Sequence, residues 1–133
     1  MYNIPEILKE YSLNPSNSIV IGSGILNALK IRESNDVDIV VKQETYNRLL
    51  KLSEFKIKNV SGLDFLSTKT LEIATVWNVK NHIYTFEELL RNSVVIDKVR
   101  YITPEFLLSI KKEWLREKDK KDIKLIEEYL QHH

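Results

Sequence analysis

The sequence predicts a mixed α/β (α+β) domain: a β-sheet flanked by helices, with further helices packed on it at the C-terminal end. Two observations carry that expectation. Short β-branched runs such as Ser18-Ile19-Val20-Ile21 and Val37-Asp38-Ile39-Val40-Val41 alternate with segments whose apolar residues recur at helical spacing. Past residue 103 only helical periodicity is left, the order expected of a sheet with helices added at its end. No repeat, low-complexity tract or linker divides the 133 residues, a length suited to one hydrophobic core. A single domain, 1–133, is therefore expected, with its core at about residues 16–102 and a helical tail at about 103–131.

Residues 4–11 place Ile4, Ile7, Leu8 and Tyr11 on one helical face, and Asn14-Pro15-Ser16-Asn17 breaks that helix. The run 18–21 reads as a buried strand ending at Gly22. Residues 23–30 read as a helix with Ile25, Leu26 and Leu29 on one face. A polar turn, 32–35, leads into the strand 36–41, and a helix over 43–53 follows. Strands are expected at 55–60 and 70–77 with Gly62 between them, then a short helix at 86–91. Residues 94–96 and 99–102, parted by Asp97-Lys98, predict a tight hairpin. Thr103-Pro104-Glu105 opens a helix, cap residue first and proline at the first helical position; a break is expected near 116–119.

Composition narrows the function classes. Hydrophobic residues at 43% and charged residues at 29% fit a soluble globular chain. The absence of cysteine excludes disulfides and thiolate metal sites and fits a reducing cytoplasm. Residues 1–6 have neither the basic nor the apolar stretch of a signal peptide, and no apolar run approaches the ~18 residues of a membrane span. A formal charge of +1 argues against nonspecific polyanion binding.

Two of the three glycines fall in Gly22-Ser23-Gly24, between a strand and a helix. Glycine there permits a positive φ or the close approach of a ligand, and the amides opening a helix suit a phosphate. Alone, this would be a plain strand-to-helix turn. Downstream, Asp36 and Asp38 share one face of a strand because side chains alternate. Two such carboxylates repel unless a cation lies between them, and magnesium favours hard oxygen ligands and phosphates. Glu72 is the candidate third carboxylate, with Asp64 in reserve. Arg32 either contacts a phosphate or pairs with Glu33 or Asp36. Residues 111–124 hold seven basic and four acidic residues, the usual mark of a solvated helix face. His82, Trp77 and Trp114 are expected to be structural.

Residues 19–41, IVIGSGILNALKIRESNDVDIVV, resemble the signature of the polymerase-β-type nucleotidyltransferase superfamily: Gly-Ser, a spacer, then Asp-hydrophobic-Asp. Residues 102–126, with Lys111, Arg116, Lys118, Asp119 and Asp122, resemble the helical tail of its small bacterial members, among them abortive-infection toxins and antibiotic nucleotidyltransferases. The resemblance implies a nucleotidyltransferase-like fold in which Gly22 and Ser23 hold a triphosphate. It implies that Asp36, Asp38 and Glu72 bind two magnesium ions, and that Lys111 and Arg116 reach the phosphates. Asp119 and Asp122 are expected to anchor the tail by ion pairs. The expected activity is transfer of an NMP from ATP or another NTP to a hydroxyl acceptor, with release of pyrophosphate. The acceptor is left open among a small molecule, a tRNA and a protein. The alternative is an inactive nucleotidyltransferase-fold module, an antitoxin or regulatory subunit that binds a protein partner.

Overall fold

A computed structural model describes residues 3–34 and 36–133, so Asn35, the last residue of the expected 32–35 turn, and residues 1–2 lie outside the description. The chain runs α1 (Ile4–Glu10), β1 (Ser18–Ile21), α2 (Gly24–Ala28), β2 (Val37–Val41), α3 (Gln43–Leu50), β3 (Lys56–Val60), β4 (Leu63–Ser67) and β5 (Leu71–Ala74). It continues through β6 (Val76–Val79), β7 (His82–Thr85), α4 (Phe86–Leu90), β8 (Ser93–Ile96), β9 (Val99–Ile102), α5 (Pro104–Trp114) and α6 (Glu117–His132). Seven strands form a mixed sheet in the order β3-β4-β5-β2-β1-β9-β8, and β6-β7 is a separate hairpin. The expected mixed α/β architecture, helices packed on a sheet, is what the chain adopts.

The centre of the sheet explains the apolar runs. Ile19, Val20, Val40 and Val41 are all fully buried, as strands covered on both faces require. β1 runs antiparallel to β2 but parallel to β9, while β2 runs parallel to β5. Ile4 and Leu8 of α1, Ile25 and Leu26 of α2, and Tyr46 and Leu49 of α3 join the same core.

Local signals set most boundaries. Thr103 caps α5 by accepting a hydrogen bond from the Phe106 amide at 3.1 Å, with Pro104 opening the helix. Asp97 and Lys98 both take positive φ (53° and 66°), the conformation that closes a two-residue hairpin with the natural strand twist. Leu115, at φ 48°, ends α5 and lets α6 restart after Arg116.

Elsewhere the expectation needs correction. The strand expected over 70–77 is two: β5 stays in the large sheet and β6 leaves it to pair with β7. β4 and β7 were not anticipated. β4 carries Asp64 and Ser67, and β7 is short and largely exposed, so neither has a strong apolar pattern.

Gly24 is a packing necessity. A Cβ there would overlap Val20 Cγ1 across the α2–β1 contact. Gly24→Ala should therefore destabilise the protein by about 1–3 kcal/mol, the overlap outweighing alanine's better helix propensity. Urea unfolding would measure it, and an unchanged or higher midpoint would contradict this packing.

Candidate functional site

Burial of Val37 and Ile39 turns Asp38, between them, to the opposite face of β2. Leu71 and Ile73 do the same for Glu72 on β5. The parallel register sets Asp38 directly beside Glu72. On the other flank Ile21 pairs with Asp38, and Gly22 follows with φ +62°. A Cβ on Gly22 would meet Asp38 Oδ2 at 3.4 Å, an ordinary contact, so it is the backbone conformation that favours glycine there. Asp36 is exposed just before β2, and the Ser34 hydroxyl donates to its carbonyl at 2.7 Å.

The reserve carboxylate falls elsewhere. Leu66 pairs with Ile73, so Asp64 shares the Ile73 face, away from Glu72. It accepts from Asn59 Nδ2 at 2.8 Å and, after burial, is the second influence raising the Tyr46 phenol above its ordinary value.

Three carboxylates so placed strain one another. Burial first, then Glu72 and Asp36, push the Asp38 carboxyl up to about 6, against the pull of Lys118 and Lys58. Glu72 Oε1 is 3.0 Å from Lys58 Nζ, with both side chains partly exposed. Among the described residues no three carboxylate, histidine or cysteine side chains converge into a ready-made metal site. The donors are all hard oxygens, the set magnesium uses, and Glu72 would have to exchange Lys58 for the ion.

Gly22, Ser23, Asp36 and Asp38 form one wall of a cleft of about 640 Å³. The opposite wall comes from α5 and α6 and carries Lys111, Trp114, Arg116, Lys118 and Lys121. Trp77 of β6 meets Trp114 edge-on at 5.8 Å, and the Arg116 guanidinium lies 3.9 Å over the Trp114 ring.

Arg32 also lines the cleft, and three of its five cations among the described residues, Arg32, Lys111 and Arg116, are already engaged. Lys111 is 4% exposed, with its Nζ 3.2 Å from Asp119 and 3.0 Å from Asp122. Arg116 makes a two-pronged contact with Asp119 at 2.7 and 3.0 Å. Arg32 makes another with Asp122, both bonds at 2.7 Å, and its Nη1 donates to the Glu33 carbonyl. The partner of Arg32 is thus a residue of α6, not Glu33's carboxylate or Asp36. Asp119 and Asp122 anchor the tail by ion pairs, as expected.

Lys118 and Lys121 differ: both line the cleft, and neither belongs to an ion pair among the described residues. Lys118 lies close enough to pull the Asp38 carboxyl down. Lys121 in particular was lost in the charge run, since only the start of α6 after Leu115 decides which lysines face the cleft. Ser23 precedes α2 without making a capping bond, which leaves its hydroxyl to the cleft. With five residues α2 has little macrodipole, so anion binding here rests on side chains. Comparison with protein-family models, curated proteins and solved structures finds no match.

The ion network makes its own prediction. Burial raises the Asp119 carboxyl, but hydrogen bonds from Arg116 and Lys111 outweigh this and hold it at about 2. Its stabilising effect is therefore full above the unfolded value near 4 and is lost as pH falls through about 2. Asp119→Asn should cost about 3 kcal/mol at pH 7, by breaking a buried pair, and progressively less toward pH 2. Urea titrations across that range would show it; a pH-independent difference would contradict it.

Proposed function

We propose that the protein is a magnesium-dependent nucleotidyltransferase, moving an NMP from an NTP to a hydroxyl acceptor and releasing pyrophosphate. The observation that carries this reading is the side-by-side placement of Asp38 and Glu72, with Asp36 and Asp38 lining the same cleft as Lys118 and Lys121, which make no ion pair among the described residues. Like charges kept together at the expense of an elevated Asp38 pKa have a chemical use when a cation is bound. Asp36, Asp38 and Glu72 would hold the magnesium, two ions by the family resemblance. When bound, magnesium supplies neutralisation of phosphate charge and acidifies the acceptor hydroxyl.

The chain's own residues do the rest. Lys118 and Lys121 hold the triphosphate from the wall facing Asp36 and Asp38, and Ser23 holds it from the carboxylates' own wall. Of the two residues first expected to reach the phosphates, Lys111 fixes α6 on α5 through Asp119 and Asp122, and Arg116 caps the start of α6 through Asp119. Arg32 ties the turn before Asp36 to the same helix. Glu72 would either help hold the magnesium or accept the acceptor's proton. The mechanism asks mainly for positioning and charge neutralisation.

A second reading has one observation in its favour. Glu72 is paired with Lys58, an arrangement that suits a catalytically inactive module binding a protein partner. Titration calorimetry of the four NTPs, with magnesium and with EDTA, separates the two. The transferase reading predicts magnesium-dependent binding that Asp36→Ala/Asp38→Ala abolishes and that Lys118→Met/Lys121→Met weakens about tenfold or more, as loss of two phosphate contacts should. Absence of NTP binding by the folded protein would favour the partner module.

Stability gives an independent readout. Asp38→Asn removes a partly buried like charge, so in EDTA at neutral pH it should stabilise the protein by about 1–2 kcal/mol. With magnesium and nucleotide the order should reverse, because only the wild type gains ligand stabilisation. A variant less stable in EDTA would contradict the strain described for this site.

A further inference from the structure

A second cavity opens on the other side of Asp38. It measures about 240 Å³ and shares two wall residues, Asp38 and Trp77, with the cleft that faces Lys118. Its other apolar walls include Ile21, Val60, Leu63, Phe65 and Val76. Polar groups come only from Asp38, Glu72, Ser61 and Asn78, apart from the backbone.

The strand register explains this composition. Glu72 pairs with Ser67 and Lys58 pairs with Phe65, so Phe65 and Leu63 share the Glu72 face of the sheet. The β6–β7 hairpin leaves the sheet immediately after β5 and brings Val76 and Trp77 over that face. The two cavities therefore divide the chemistry at one carboxylate. Among the described residues, cationic side chains line the larger one and none lines the smaller.

We infer that the smaller cavity is the acceptor subsite, and that it takes a small hydroxyl-bearing molecule with an apolar, ring-sized body. This rests on the transferase reading and names its acceptor class. An occupant would lie against Phe65 and Trp77 with its hydroxyl toward Asp38 and Glu72. The hydroxyl oxygen then attacks the α-phosphorus of the NTP held in the adjoining cleft. The bond from that phosphorus to the bridging oxygen of the β-phosphate breaks, pyrophosphate leaves with the electron pair, and the proton passes to Glu72.

Size and charge favour a small neutral acceptor over a nucleic acid. The volume equals that of about eight waters, enough for one ring and short substituents. A nucleic-acid end brings phosphates, which call for cations along the groove. The lysine nearest this wall, Lys58, is held by Glu72.

Ligand-observed NMR with two ring-sized probes, benzyl alcohol and phenyl phosphate, tests the inference on the full chain. Benzyl alcohol should bind, with Overhauser contacts to the Trp77 and Phe65 rings, and phenyl phosphate should bind at least about tenfold more weakly for want of a cationic partner. Val76→Trp and Leu63→Trp, each filling the cavity from a partly exposed position, should lose benzyl alcohol binding, with circular dichroism confirming the fold. Benzyl alcohol should still bind when magnesium and an α,β-methylene NTP are present.

Competition between probe and nucleotide would overturn the inference, because the cavity would then hold the nucleoside. So would equal binding of phenyl phosphate, or benzyl alcohol binding unchanged in both tryptophan variants. Nucleotide binding without probe binding overturns this inference and leaves the transferase reading intact. Probe binding by a protein that takes no nucleotide overturns both.

Discussion

The parallel pairing of β2 with β5 is the constraint on which the site depends. Val37 and Ile39 on one strand, and Leu71 and Ile73 on the other, are buried almost completely. Their burial leaves Asp38 and Glu72 a single option, the opposite face at the same level. A one-residue slip in register would turn the carboxylates into the core and the isoleucines outward, so the apolar packing holds the acids together. Hydrophobic burial, worth roughly 1.5–3 kcal/mol per large side chain, readily offsets the repulsion between two partly solvated carboxylates.

The second layer of organisation is the ion network of Arg32, Lys111, Arg116, Asp119 and Asp122. Its three cations and two anions join α5, α6 and the turn before β2, and most of the network is buried. With the deeper cations neutralised by aspartates, Lys118 and Lys121 are left to face the acidic wall. The cleft therefore combines Asp38 on β2 and Asp36 just before it with lysines on a helix whose position is fixed by charge pairs. Trp77 and Trp114 close the space between these walls, and Trp77 also divides the cleft from the smaller apolar cavity.

Much of this was legible in the sequence, for identifiable reasons. The run from Val37 to Val41 and the Thr103-Pro104 cap are local signals, and local chemistry decides them. Alternation along β2 and β5 turns Asp38 and Glu72 away from the core side by side, whereas Asp36 lies just before the strand. The Arg32–Asp122 pair was not legible, because the two residues are 90 positions apart and nothing local links them. Lys121 was hidden for a similar reason: its direction depends on where α6 restarts after Leu115. The excursion of β6 away from the sheet was equally obscure, since β5 and β6 read as one continuous strand, and without that excursion the smaller cavity has no roof.

The central claim is that Asp36, Asp38 and Glu72 together receive a divalent cation facing Lys118. Paramagnetic relaxation tests it most directly, using the isotopically labelled protein titrated with manganese, with and without ATP. The account predicts selective broadening of amide signals around Asp38 and Glu72, extending with ATP to Ser23, Lys118 and Lys121. Broadening spread over exposed carboxylates such as Glu10 and Glu128, with none centred on Asp38, would contradict it.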